Sequence, residues 1–317
     1  MLVHGLWFAL GLLLLIKGAD WLVAGASALA KTYGVTDLAI GLTIVAFGTS
    51  APELVVNGFA SWQGHHDIVV GNVVGSNNFN LFIILGVVGL LAPLRVHSST
   101  VWREIPVSLV CAVIVLLLCN NVLLTGGHVL SRWDAVILLV MFALFLFYVY
   151  TQLDSGDPMK EQIVQHKPGR AWVLIVLGLA GLILGGRLMV NSAVQIATSL
   201  GISEKITGLT IVAAGTSLPE LATSLVAVYR RNHDIAVGNI VGSNIFNLLL
   251  ILSVSALIYP IRYNPAFNTD FLVFAGGTTL LFIAMFTGGS RKLDRWEAAI
   301  LLVGYIAYSS YLISQEV

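Results

Sequence analysis

Two glutamates offer the chemistry most clearly written into this sequence. Glu53 lies near the end of G-L-T-I-V-A-F-G-T-S-A-P-E-L (41–54), and Glu220 near the end of G-L-T-I-V-A-A-G-T-S-L-P-E-L (208–221). Twelve of these fourteen positions are identical, at an offset of 167. Each glutamate follows Gly-Thr-Ser-x-Pro in an apolar run. Proline lacks an N–H and clashes with the carbonyl four residues back, here that of Gly48 or Gly215, and the neighbouring glycine lets the backbone open further. Such a turn offers carbonyl, hydroxyl and carboxylate oxygens together. In a bilayer, freed carbonyls need a partner other than water, and a central carboxylate costs at least about 2.5–3.5 kcal/mol on insertion scales. No Lys or Arg stands at helical spacing beside Glu53 or Glu220. A mobile hard cation is the natural counter-charge; Ca2+, for example, takes about six to eight oxygens. The plain alternative is a kinked helix whose Ser and Thr bond back to their own backbone. A duplicated motif with a buried carboxylate in each copy weighs against it.

The bilayer follows from composition. Of 317 residues, 57% are hydrophobic and only 10% charged, against about 25% charged in ordinary soluble domains. Mean hydropathy is +0.91, and the expected class is an all-α polytopic membrane protein. A net charge of zero leaves no broad basic footprint for nucleic acid. Cys111 and Cys119 share one apolar run and read as small hydrophobes. The apolar run from Leu6 to Ile16 has no Lys or Arg before it, and Tyr33-Gly34-Val35 matches Leu200-Gly201-Ile202 at the same offset of 167. It therefore reads as a retained first helix rather than a signal peptide.

Charge, Pro and Gly punctuate the chain into ten expected spans, near 5–30, 37–62, 67–92, 102–124, 131–151, 170–199, 204–229, 234–259, 268–288 and 294–314. The expected organisation is a first repeat over 1–151, a linker over 152–169 and a second repeat over 170–317. Further landmarks agree. Pro93-Leu94-Arg95 matches Pro260-Ile261-Arg262 at offset 167, and Arg132-Trp133-Asp134 matches Arg295-Trp296-Glu297 at offset 163. Five spans, an odd number, separate Glu53 from Glu220, so the copies run oppositely through the bilayer. That is the inverted repeat of many secondary transporters, whose site lies near the midplane. Lys and Arg number eleven in the loops on one side and three on the other, which predicts a cytoplasmic linker and two extracytoplasmic termini.

A second duplicated stretch begins at Asp67 and again at Asp234, with fourteen of nineteen positions identical. Both acids are expected at helix starts, where they suit the dipole. Gly71 and Gly75, like Gly238 and Gly242, permit close helix contact. Ser76 and Asn80 share one helical face, as do Ser243 and Asn247, and their oxygens suit ion ligation. Asn72, Asn77, Asn239 and Asn244 either support the ligands or join helices. Asn57 and Ser224, one turn beyond each glutamate, are placed to orient it. Lys17 and Asp20 read as an internal pair, and Trp102, Trp133, Trp172 and Trp296 as interface anchors. The sequence contains neither H-E-x-x-H nor G-x-S-x-G, so it shows no nucleophile or metal motif of an enzyme.

The paired G-T-S-x-P-E and G-S-N-x-x-N motifs resemble those of the cation/Ca2+ exchanger superfamily, in its prokaryotic Na+/Ca2+ exchanger-like branch, and the resemblance spans the whole chain. It implies ten helices, two inverted five-helix repeats, and four cation sites among the second, third, seventh and eighth helices. By position, it makes Glu53 and Glu220 the central ligands shared by Ca2+ and Na+. Thr49, Ser50, Thr216 and Ser217 would add hydroxyl or carbonyl oxygens. Ala46 and Ala213 would give backbone carbonyls to outer Na+ sites, with Ser76 and Ser243, while Asn80 and Asn247 would line the middle. Relatives can carry Asp where Asn247 stands, and Asn removes a titratable group. The implied activity is Na+/Ca2+ antiport across a plasma membrane by alternating access, the first and sixth spans sliding against the rest. Ca2+ and Na+ are then cargo, with no cofactor and no obligate protein partner. The competing readings are H+- or K+-dependent exchange of Ca2+ or another divalent cation, a cation channel, and a non-transporting membrane scaffold.

Overall fold

The computed structural model describes residues 2–120, 127–153, 168–200, 213–287 and 291–316. These residues are overwhelmingly helical. The first six helices are α1 (Leu2–Tyr33), α2 (Asp37–Thr49), α3 (Ala51–Trp62), α4 (His66–Leu91), α5 (Thr100–Cys119) and α6 (Arg132–Leu153). The next five are α7 (Pro168–Ser199), α8 (Leu218–Tyr229), α9 (His233–Ile258), α10 (Asn268–Ala284) and α11 (Arg295–Glu316). Among the described residues, seven helices are long and apolar enough to cross a bilayer, or eight if α2 and α3 form one broken span. Ten distinct spans are therefore not established. Residues 201–212, where the expected seventh span begins, lie outside the described residues, and its described remainder is a short helical turn, Ala213–Gly215, followed by the 12-residue α8. The expected tenth span is the 22-residue α11, which carries Tyr305, Tyr308, Ser309, Ser310 and Tyr311 from its middle onward.

The chain divides into two compact units, Met1–Pro52 with Tyr148–Asn239, and Glu53–Phe147 with Ile240–Val317. In the first, α1 packs antiparallel on α7. Gly18 meets Gly178 so closely that a Cβ on Gly18 would lie 2.7 Å from the Gly178 carbonyl oxygen and 2.6 Å from Leu182 N. Gly11 meets Gly185, and Gly25 meets Ala171, in the same way. Small residues seven apart on both helices thus let the backbones touch, the packing that lipid-embedded helices favour. Helix ends here are capped from the sequence. Thr36 Oγ1 accepts the Ala39 N–H at 3.2 Å, and Asn232 Oδ1 accepts the Ile235 N–H at 3.1 Å, satisfying donors that a helix start leaves open. Asn232 Nδ2 also donates to Ser27 and Asp37. Asp20 pairs with Arg230 at 2.5 Å. The expected Lys17 partner is replaced by this arginine from the end of α8, because helix packing brings a distant guanidinium to the carboxylate.

In the second unit four short strands join the helix connections. They are β1 (Leu94–Arg95), β2 (Val129–Leu130), β3 (Ile261–Arg262) and β4 (Lys292–Leu293). β1 pairs antiparallel with β4, and β2 with β3. Each half of the sequence thus contributes one strand to each pair, so the Pro-x-Arg landmarks become β-ladders exchanged between the halves. The Arg-Trp-acid landmarks also have a structural reason. Asp134 accepts the Ser131 N–H at 2.8 Å and Glu297 accepts the Asp294 N–H at 2.7 Å. Each acid folds back on the residue before its helix as a capping box. Asp67 and Asp234 lie in the first turns of α4 and α9, as expected. On α6, Ala135, Leu138, Phe142, Phe145 and Val149 are buried while Val136, Val140, Leu144 and Phe147 are exposed. A helix apolar on both its buried and exposed faces fits a lipid surround. Trp102, Trp133, Trp172 and Trp296 are all exposed, and Cys111 and Cys119 are buried free thiols.

Candidate functional site

The first unit holds one set of the expected ligands. Helix α2 stops at Ser50, whose φ and ψ are −83° and 6°, and the chain enters α8 through Ser217 at −90° and 7°. Both copies of the motif break the helix at the same serine, two residues before the proline. Ser50 Oγ donates to Glu220 Oε1 at 2.9 Å, and Glu220 is 1% exposed. Thr49 and Ser217 are fully buried and Thr216 is partly so. The Ala46 carbonyl accepts the Ser50 N–H at 3.0 Å and the Thr49 hydroxyl at 3.3 Å. Ala213 opens the short helical turn Ala213–Gly215; residues 208–212 of the second copy lie outside the described residues.

Asn239 joins these groups. Its Oδ1 accepts the Thr49 hydroxyl at 3.0 Å, while its Nδ2 donates to Ser224 Oγ at 3.1 Å and to the Glu220 carbonyl at 3.3 Å. Of the two roles left open for this asparagine, the bonds favour support of the ligands. Its counterpart Asn72 makes the equivalent bond: Asn72 Nδ2 donates to Asn57 Oδ1 at 3.0 Å, and Asn57 stands where Ser224 stands in the second copy.

The second unit holds Glu53, 1% exposed, with the serine and asparagine motifs of α4 and α9. Both helices widen into a π-helical turn beside the ligand positions, at Phe79–Ile84 and Asn247–Ile251; such turns recur at functional sites. Across the two helices Asn80 Nδ2 donates to Asn244 Oδ1 at 3.1 Å, and Asn247 Nδ2 donates to Asn77 Oδ1 at 2.9 Å. These bonds are equivalents of each other under the offset of 167. Asn77 also donates to the Asn244 carbonyl at 3.2 Å. The amide donors of Asn80 and Asn247 are thereby used, while their side-chain carbonyl oxygens, like Ser76 Oγ, are buried without a hydrogen-bond partner among the described residues. Burying a polar atom without a partner costs about 1–3 kcal/mol. Buried acceptors whose donors are tied back suit a cation ligand. Ser243 is fully buried on the same face. Asn77 and Asn244 were readable from sequence only as neighbours; their role as the amides that turn Asn80 and Asn247 required the packed helices.

Among the described residues, no group of three or more His, Cys, Asp or Glu side chains is placed to hold a metal. The candidate ligands are instead hydroxyl and amide oxygens, with one carboxylate in each unit. Oxygen-rich sets of low charge suit hard cations such as Ca2+ and Na+ rather than a Zn2+ centre.

The sequence profile of the sodium/calcium exchanger protein family matches residues 3–151 and 170–314. The chain belongs to that family. It is 39% identical over 324 residues to CaxA of Alkalimonas amylolytica, named as an antiporter, covering 99% of this chain and 100% of that one. It is 32% identical over 344 residues to the sodium/calcium exchanger MaX1 of Methanosarcina acetivorans, covering 96% and 97%. Its fold matches a solved structure of the sodium-calcium exchanger NCX_Mj soaked with Na+ and Ca2+, with a TM-score of 0.83, 32% identity and 98% coverage of each chain. The reading of this sequence as a membrane ion exchanger of that superfamily therefore holds.

Proposed function

We propose that this protein exchanges Ca2+ for Na+ across a plasma membrane, by alternating access to ligands drawn from two inverted five-helix repeats. The observation that carries the proposal is the pair of equivalent asparagine bonds that leaves the Asn80 and Asn247 side-chain carbonyl oxygens buried and, among the described residues, without a partner. Glu53 and Glu220 serve as the central carboxylates. Thr49, Ser50, Thr216, Ser217, Ser76, Ser243, Asn80, Asn247 and the carbonyls of Ala46 and Ala213 serve as neutral ligands. The expectation that both glutamates serve one ion rests on the sequence repeat and the family. Two carboxylates balance one Ca2+, and several Na+ can take neighbouring oxygens in its place. A titratable group is absent at Asn247, which favours Na+ over H+ as the coupling ion.

The ten-span arrangement, 1–151 and 170–317 joined by the linker 152–169, belongs to this proposal. The strand pairings support it. β1 with β4 and β2 with β3 each join connections that ten alternating spans would put on the same side. The termini are then extracytoplasmic and the linker cytoplasmic.

The test is radioactive Ca2+ uptake into Na+-loaded proteoliposomes. Uptake that follows the outward Na+ gradient supports the proposal. Uptake indifferent to Na+ but driven by a pH gradient replaces the coupling ion, and current far above antiporter turnover replaces exchange with a channel.

A further inference from the structure

The second unit contains a carboxylate that the exchange mechanism does not use. Asp270, in the first turn of α10, is 9% exposed within a candidate membrane span. An acid there complements the helix end, but an exposed acid would do so equally. This one is buried, and its Oδ1 is hydrogen-bonded to the hydroxyl of Tyr308 on α11. Among the described residues it takes part in no ion pair. The titratable groups around it are Tyr308 and Tyr305 on α11 and Tyr263 after β3, with Cys119 of α5 behind Tyr263. None is a cation. A buried intramembrane acid without a cationic partner is by default a functional group.

A second observation points to its ligand. Asn78 of α4 is fully buried, and its Nδ2 donates to the Asp270 carbonyl at 3.1 Å. On the same amide, Oδ1 is buried with no hydrogen-bond partner among the described residues. With the carboxylate ionised, Tyr308 is the donor and this acceptor stays unused. A proton added to the pair brings one more O–H donor, and Asn78, whose side chain also bonds Tyr308, carries the spare acceptor. Asn78 lies between Asn77 and Asn80, whose amides make the paired bonds of the ion ligands.

We propose that Asp270, with Tyr308 and Asn78, forms an accessory proton-binding site whose occupancy adjusts the α4 ligands. Its coupling to Ca2+ binding rests on the proposed function; proton binding itself does not. The step is a reversible proton uptake from water, with no other bond made or broken.

The test is pH-difference infrared spectroscopy of the full chain in lipid, alongside equilibrium Ca2+ binding at each pH. The wild type is expected to show a carboxylic-acid C=O band that Asp270→Asn loses. Tyr308→Phe is expected to move it to higher frequency, because the carbonyl loses a hydrogen bond, and this variant carries the test if Asp270→Asn fails to fold. Part of the pH dependence of Ca2+ affinity should disappear in Asp270→Asn. Spectra unchanged by both substitutions overturn the proton site. A band present and lost as expected, with Ca2+ affinity following pH identically in wild type and Asp270→Asn, overturns the coupling. A wild type that shows the band but binds no Ca2+ overturns the coupling through failure of the exchanger reading, while leaving the proton site supported.

Discussion

Replacing Asn239 with alanine removes three hydrogen bonds at once, to Thr49, Ser224 and the Glu220 carbonyl. A neutral hydrogen bond contributes about 1 kcal/mol net, so the three bound the loss near 3 kcal/mol. Thr49 retains a fallback acceptor, the Ala46 carbonyl at 3.3 Å, which returns part of it. A loss of about 2 kcal/mol remains. Expressed wholly in ion affinity, it is a roughly thirtyfold weakening. If Asn239 positions ligands, the apparent KM for Ca2+ in Na+-driven uptake rises severalfold or more, with a smaller fall in thermal stability. If it only joins helices, the melting temperature falls while KM stays put. Asn239→Asp separates these outcomes further. It keeps the acceptor for Thr49 but loses both amide donors and adds a negative charge near Glu220, so it should be worse than alanine for transport. An alanine variant with wild-type KM, or an aspartate variant more active than alanine, would refute the positioning role.

Glu53→Gln and Glu220→Gln should each abolish Na+-gradient-driven Ca2+ uptake while the protein remains monodisperse in detergent; retained uptake in either would count against every exchange reading. Gly18→Leu should destabilise the α1–α7 pair by more than the about 1–3 kcal/mol typical of overpacking, because its Cβ alone would lie 2.6 Å from Leu182 N. Thermal unfolding in detergent reads this directly. Asp20→Asn should lower stability by less than about 1 kcal/mol, since its bridge to Arg230 is over a third exposed on both sides and such pairs are weak. Asn247→Asp should add a carboxylate for which protons and cations compete. Ca2+ uptake should then fall more steeply than in wild type as pH is lowered.

Much of this protein was legible in its sequence because membrane helices and duplicated motifs are local signals. Composition identified the bilayer, and the offset of 167 paired Glu53 with Glu220, Ser76 with Ser243, and Asn80 with Asn247. Proline after Gly-Thr-Ser implied a broken helix, and the breaks occur at Ser50 and Ser217. The glycines at 11, 18 and 25 and at 178 and 185 were also readable, as a period of seven, but spacing alone does not name the helix they meet. Partners between distant segments were decided by tertiary structure. Asp20 found Arg230 rather than the nearby Lys17, Asn239 bound Thr49, and Tyr308 reached Asp270. The reason is physical. A repeat specifies which residues are equivalent, whereas a hydrogen bond depends on the few ångströms and degrees by which two packed helices approach, and those are set by side chains along the whole contact.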